Sequence, residues 1–110
     1  TLRGTAIDVE RRTFRLGRPS GGLSGPAIKP VALYMVSAVA KAVEVPIIGC
    51  GGISTAEAAI EFIMAGASAL QVGTATFTDA RSMTDIIDGI GAFMRRHDIR
   101  DLASICGIVR

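Results

Sequence analysis

Two short apolar runs constrain this chain more than anything else in it. Val45-Pro46-Ile47-Ile48-Gly49-Cys50 and Ala69-Leu70-Gln71-Val72 each stop directly on glycine, at Gly51-Gly52 and at Gly73. Runs so short and so apolar read as strands buried on both faces, the kind found in parallel sheets flanked by helices. Helical patterns stand on either side of them. The first starts at Pro30, where a missing N–H costs nothing, and spaces Leu33, Val36, Ala40 and Val43 along one face until Glu44 and Pro46 close it. The second starts at Ser54-Thr55-Ala56-Glu57, a capping box in which Ser54 and Glu57 exchange hydrogen bonds, and ends near Ala65 with Gly66 as a left-handed terminator. The third, about Ser82 to His97, puts Met83, Ile86, Ile87, Ile90, Phe93 and Met94 on one side. The Asp98–Arg110 tail adds a further short helix.

Upstream of the first helix, Ala6-Ile7-Asp8-Val9 and Thr13-Phe14-Arg15-Leu16 flank the polar turn Glu10-Arg11-Arg12 and predict a β-hairpin. Gly17 to Pro26 is dense in Gly, Pro and Ser and reads as a loop. Apolar strands alternating with helices build βαβ units on a parallel sheet. Two such strands cannot cover a sheet alone. A complete (β/α)8 (TIM) barrel takes about 250 residues, and this chain has 110 with no initiator Met. The expected fold is therefore α/β, the C-terminal part of a TIM barrel with parallel strands. Residues 1–110 form a single partial domain, with an N-terminal β-hairpin excursion.

Composition removes several function classes. With 49% hydrophobic and 20% charged residues, the chain is too apolar for disorder. No apolar run approaches the length of a membrane span, and the first five residues lack the organisation of a signal peptide. Twelve Lys and Arg face ten Asp and Glu, with no Trp and one Tyr, so no dense basic face with stacking aromatics is available for nucleic acid. Cys50 and Cys106 form no CxxC and have no nearby His for a metal site. Reduced thiols and a cytoplasmic location are the expectation.

Chemistry concentrates in three glycine-bearing turns: Ser24-Gly25 before the first helix, Gly51-Gly52 after the first strand, and Gly73-Thr74 after the second. In a barrel such turns share the rim at the C-terminal ends of the strands, where phosphate is often held after strands 7 and 8. Glycines let the backbone approach a ligand, and helix N-termini present free N–H groups and a positive dipole end to an anion. The Thr74 hydroxyl adds a donor. One such turn alone would only punctuate the chain; three at successive rim positions point to an anion cradle. Elsewhere, Cys50 reads as a small buried hydrophobe, His97 as a cation suited to a helix end, Lys29 as a surface group, and Cys106 has no activating neighbour. None is a convincing general base, nucleophile or metal ligand.

Three stretches, Gly21-Gly22-Leu23-Ser24-Gly25-Pro26-Ala27-Ile28-Lys29-Pro30, Ile47 to Ile53, and Ala65 to Ala75, resemble the C-terminal part of dihydroorotate dehydrogenase. The Pro-Ala-Ile-Lys-Pro continuation is similar to class 1 enzymes, most of all to the catalytic subunit that uses NAD and pairs with an iron–sulfur flavoprotein. The resemblance implies a flavin-dependent barrel that oxidises dihydroorotate to orotate in pyrimidine (UMP) biosynthesis. Its FMN would be held in part by Gly25, Gly51, Gly52, Gly73 and Thr74. Thr1 matches the Thr of an Asn-Thr pair that contacts the pyrimidine. The resemblance further implies a homodimer, and an iron–sulfur subunit carrying FAD and a 2Fe-2S cluster. The family's cysteine base and flavin-contacting lysines have no counterpart here, so no catalytic residue is expected in this chain. Alternative readings are the flavin domain of a dihydropyrimidine dehydrogenase, whose Gly-Val-Ser-Gly loop differs from Gly22-Leu23-Ser24-Gly25, another phosphate-binding barrel such as a dihydrouridine flavoenzyme or a nucleotide dehydrogenase, and a non-catalytic half-barrel that associates with itself.

Overall fold

The computed structural model describes residues 1–109; Arg110, the end of the tail expected to be helical, lies outside the described residues. Its centre is a parallel β-α-β unit. Strand β5 (Ile48–Cys50) pairs in register with β6 (Ala69–Gln71), Ile48 opposite Ala69 and Cys50 opposite Gln71, and α2 (Ala56–Met64) connects them. Helix α1 (Lys29–Ala42) precedes the unit; α3 (Thr74–Thr78), α4 (Ser82–Arg96) and a 3-10 turn at Leu102–Ile105 follow it.

Both ends of α2 are set by local chemistry. The capping hydroxyl is that of Thr55, which accepts from the Ala58 N–H at 3.1 Å. This corrects the expected Ser54–Glu57 box by one residue. Thr55 is the extended residue at the helix threshold, so its oxygen, not Ser54's, reaches the first-turn amides. At the other end the Gly66 N–H donates to the Ile63 carbonyl and the Ala67 N–H to the Phe62 carbonyl, both at 2.9 Å, which is a Schellman motif. Gly66 takes φ +117, and a Cβ there would meet the Ala40 Cβ at 2.5 Å. It therefore both ends α2 and lets α1 lie against the turn.

The core forms around α2. Ala59 and Phe62 are fully buried, with Val36, Ile53 and Ile86 closing over them from α1, the β5–α2 turn and α4. A second cluster joins Ile60 and Ile63 to Ile105 of the C-terminal 3-10 turn. Burial on both faces of β5 and β6, expected from their composition, does not occur. Gly49 faces α2, where a Cβ would meet a Phe62 ring carbon at 2.8 Å, while Ile48 is 57% exposed and Cys50 and Ala69 are also open. Helices cover one side of this sheet; on the other, Thr1 and Leu2 come near Cys50 but leave Ile48 and Ala69 open. Cys50 accordingly is not the buried hydrophobe expected. Ile86 of α4 is buried, but Met83 and Ile87 are exposed, so the stripe covered in this chain is narrower than the apolar side read from sequence.

The N-terminal segment is a long antiparallel ribbon. Strands β2 (Ile7–Asp8) and β3 (Thr13–Phe14) form the expected hairpin, with Ile7 opposite Phe14. Beneath it, β1 (Leu2–Gly4) pairs with β4 (Gly21–Leu23), within what had read as a Gly17–Pro26 loop. Propensity disfavours glycine in strands, but β1 supplies hydrogen-bonding partners from well outside the local stretch, Gly4 opposite Gly21 and Leu2 opposite Leu23, and tertiary pairing wins. Likewise the loop expected after Gly73 contains the five-residue α3. No helix among the described residues is long and apolar enough to cross a membrane.

Candidate functional site

The three glycine-bearing turns meet. A cleft of about 120 Å³ opens at the C-terminal ends of β5 and β6, and Gly25, Gly51, Gly52, Gly73, Thr74 and Thr1 all line it. The parallel pairing of β5 with β6 sends both post-strand turns to the same end of the sheet. Gly25 arrives from the other side, following Ser24 in the two-residue link between β4 and the 3-10 turn Pro26–Ile28 that leads into α1.

The glycines have different reasons to be there. At Gly52, φ is +75, and a Cβ would lie 2.8 Å from both the Gly25 carbonyl oxygen and the Lys29 nitrogen, so only glycine lets these two turns touch. Gly51, at φ +130, would push a Cβ to 2.7 Å from the Cβ of Ala32 on α1. Fold geometry accounts for both. Gly73 is unlike them: its φ is −119, and a Cβ would have nothing within 4 Å. No neighbour within the fold demands glycine at 73, which leaves the space in front of its backbone as the feature that a side chain would fill. Across the cleft, the Thr74 methyl comes within 3.6 Å of where a Gly25 Cβ would stand. Around Gly73 the carbonyl points back into α3, accepting from the Thr76 N–H at 3.0 Å and its hydroxyl at 2.7 Å. The Thr74 and Ala75 amides, at the start of α3, have no carbonyl a full turn back inside the helix to donate to.

Of the polar members of the same cleft, sequence reasoning places Ser24 in a rim turn and reads Cys50 as buried, but misses Gln71. Cys50 and Gln71 are register partners on the open face of the sheet, and Ser24 lines the rim beside Gly25. Strand parity holds the signal: residues two apart share a face, so once Gly49 and Leu70 turn toward α2, Cys50 and Gln71 must turn away. Lys29 is not a free surface group. Its ammonium pairs with the Glu61 carboxylate of α2, both side chains half-buried. His97 stacks on Phe93 at the C-terminal end of α4, ring centroids 4.4 Å apart, outside the cleft. Cys106 sits against the Ala67 carbonyl at 3.5 Å. A larger groove, about 970 Å³, lies around Pro46 and Ser68 at the opposite end of the strands. In open parallel α/β sheets ligands bind at the carboxyl ends, which favours the smaller cleft.

Comparison with known proteins bears on the whole chain. The family profile for dihydroorotate dehydrogenase matches residues 1–94. A protein of Alkaliphilus metalliredigens, named dihydroorotate dehydrogenase B (NAD(+)), catalytic subunit, is 56% identical over 107 residues, 97% of this chain and 35% of that relative. A protein of the same name from Lachnoclostridium phytofermentans is 49% identical over all of this chain and 37% of its own length. The chain thus spans about a third of the length of these curated relatives. A crystal structure of DHODH from Eimeria tenella in complex with ferulenol superposes with a TM-score of 0.76 at 28% identity, covering 96% of this chain and 29% of that one.

Proposed function

The chain belongs to the dihydroorotate dehydrogenase family, and from that membership we propose that it is the C-terminal, FMN-phosphate-binding part of an enzyme that oxidises dihydroorotate to orotate in pyrimidine biosynthesis. One observation carries the cofactor assignment: Gly25, Gly51, Gly52, Gly73 and Thr74, distant in sequence, line a single cleft at the C-terminal ends of two parallel strands. The space before Gly73 suits a phosphate close to backbone amides, and no Lys or Arg is required for it.

When bound, the flavin supplies the hydride acceptor for C6 of dihydroorotate. This chain's share is binding and orientation. Amides at the start of α3 and at the Gly51–Gly52 turn would hold the phosphate, with the Thr74 hydroxyl as a further donor. Thr1, at the rim of the same cleft, contacts the pyrimidine. The family's cysteine base has no counterpart in this chain, so on the family resemblance the group that takes the C5 proton comes from outside these residues. Residues 1–110 form one partial domain and act in the cytoplasm as part of a homodimeric catalytic subunit. The relatives' designation as a catalytic subunit supports a second subunit, which the family resemblance implies to be an iron–sulfur flavoprotein carrying FAD and a 2Fe-2S cluster.

The chain alone is expected not to bleach added FMN in the presence of dihydroorotate. Residues 1–110 grafted in place of the matching third of the Alkaliphilus metalliredigens catalytic subunit are expected to retain FMN and restore turnover. Gly73→Val in that graft places its Cβ where no atom of the fold lies within 4 Å and fills the cleft; FMN affinity is expected to fall about tenfold or more, a loss of at least ~1.4 kcal/mol, read by fluorescence titration. Unchanged FMN affinity in Gly73→Val would remove the phosphate from this cleft.

A further inference from the structure

We infer that the Lys29–Glu61 ion pair is a positioning device for the anion cleft, acting from behind it; the inference rests on the reading that this cleft holds the flavin phosphate. Lys29 is the first residue of α1 and follows directly on the 3-10 turn that Gly25 opens. Its backbone nitrogen and Cβ lie 2.8 and 2.9 Å from the place a Gly52 Cβ would occupy, so the Lys29 main chain is the wall against which the Gly51–Gly52 turn rests. Its side chain runs to Glu61, on the helix that this turn starts, 32 residues away in sequence.

One residue therefore touches both rims: main chain to the Gly52 turn, side chain to the helix beyond it. The three ion pairs among the described residues divide accordingly. Arg11–Asp8 and Arg81–Asp85 join near neighbours in sequence and leave the arginines more than 80% exposed, whereas Lys29–Glu61 joins two different elements and is half-buried. Exposed local pairs contribute little. A pair that spans two elements fixes their separation, and the separation of α1 from α2 sets the distance between the Gly25 and Gly52 backbones. Because Glu61 neutralises it, the Lys29 charge acts on geometry and not directly on the anion.

The test uses the grafted enzyme and two ligands, FMN and riboflavin, which differ by the phosphate alone. Lys29→Met and Glu61→Gln are each expected to weaken FMN roughly three- to fivefold, the range a half-exposed pair supports, and to leave riboflavin within about twofold. Lys29→Arg, and the exchange of Lys29→Glu with Glu61→Lys, are expected to return FMN to near the parent affinity. These last two variants keep the pair, so they decide the matter if either single variant fails to fold. Equal losses for FMN and riboflavin would make the pair a general staple and overturn the inference. Tighter FMN in Glu61→Gln with weaker FMN in Lys29→Met would overturn it too, by making Lys29 a direct phosphate ligand. Unchanged FMN affinity in both single variants would leave the cleft reading intact and remove the device. A parent graft that binds FMN no better than riboflavin would remove the cleft reading itself, and the device with it.

Discussion

Around α2, Phe62, Ile60 and Ile63 are buried, whereas along the β2–β3 hairpin Ile7, Val9, Phe14 and Leu16 are all 44% exposed or more. The named side chains of the two regions are alike in being large and apolar. They differ in what stands opposite them. Helix α2 is enclosed by α1, α4, the sheet and the C-terminal 3-10 turn, so its apolar side chains find partners within the chain. The hairpin has two strands and no second layer among the described residues, and a lone hairpin is marginal in water. Hydrophobicity alone therefore does not rank these residues; the number of layers around them does. The open face of β5 and β6 belongs with the hairpin in this respect, since Ile48 is as exposed as Ile7 to within a few percentage points.

Substitutions can break that contrast. Phe62→Ala should have the largest effect, about 3–5 kcal/mol by urea unfolding, because the ring is fully buried and Gly49 and Ala67 have no side-chain bulk to refill its space. A cost below about 1 kcal/mol would mean that α2 is no more enclosed than the hairpin. Gly66→Ala comes next, at about 2–4 kcal/mol, since it combines an unfavourable φ with a clash against Ala40. Equal melting temperatures for parent and variant would show that α1 is free to move away from the turn. Thr55→Ala should lose about 1 kcal/mol and Ser54→Ala almost nothing, which separates the observed cap from the neighbouring hydroxyl; a reversed order in unfolding midpoints would restore the Ser54 box. Phe14→Ser should be smallest, within about 0.5 kcal/mol. A loss of several kcal/mol there would reveal cover over the hairpin in solution.

What could be read early and what could not divides along the same line. The helix limits were legible because their causes are local: Pro30 falls in the first turn of one helix, which begins one residue earlier at Lys29, Gly66 closes another, and the period of Ile86, Ile90 and Phe93 reaches only a turn or two ahead. The error at the cap of α2 was a single residue, because Ser54 and Thr55 are chemically alike and only the backbone angles choose between them. The β1–β4 pairing was not legible. Gly21-Gly22-Leu23 has the composition of a loop, and nothing near it announces that Leu2-Arg3-Gly4 lies alongside. The turns of the cleft were legible as separate bends, Gly25, Gly51–Gly52 and Gly73–Thr74, from glycine placed directly ahead of helical patterns. Gln71 escaped notice, and Cys50 read as buried, because both sit in runs whose exposure depends on a layer the composition implied.

Taken by itself, the amino-acid order determined the α/β class, the alternation of strand, turn and helix, and the identity of the bends able to approach an anion. These follow from dihedral preferences and from contacts within a few residues, which short-range sterics and hydrogen bonding settle. Tertiary structure alone decided that residues 25, 52 and 73 share one cleft, that Lys29 reaches Glu61 behind it, and that one face of the sheet stays open. Those outcomes depend on where separate elements come to rest against each other, and side-chain volume at sites such as Gly52 and Gly66 sets how closely they can do so.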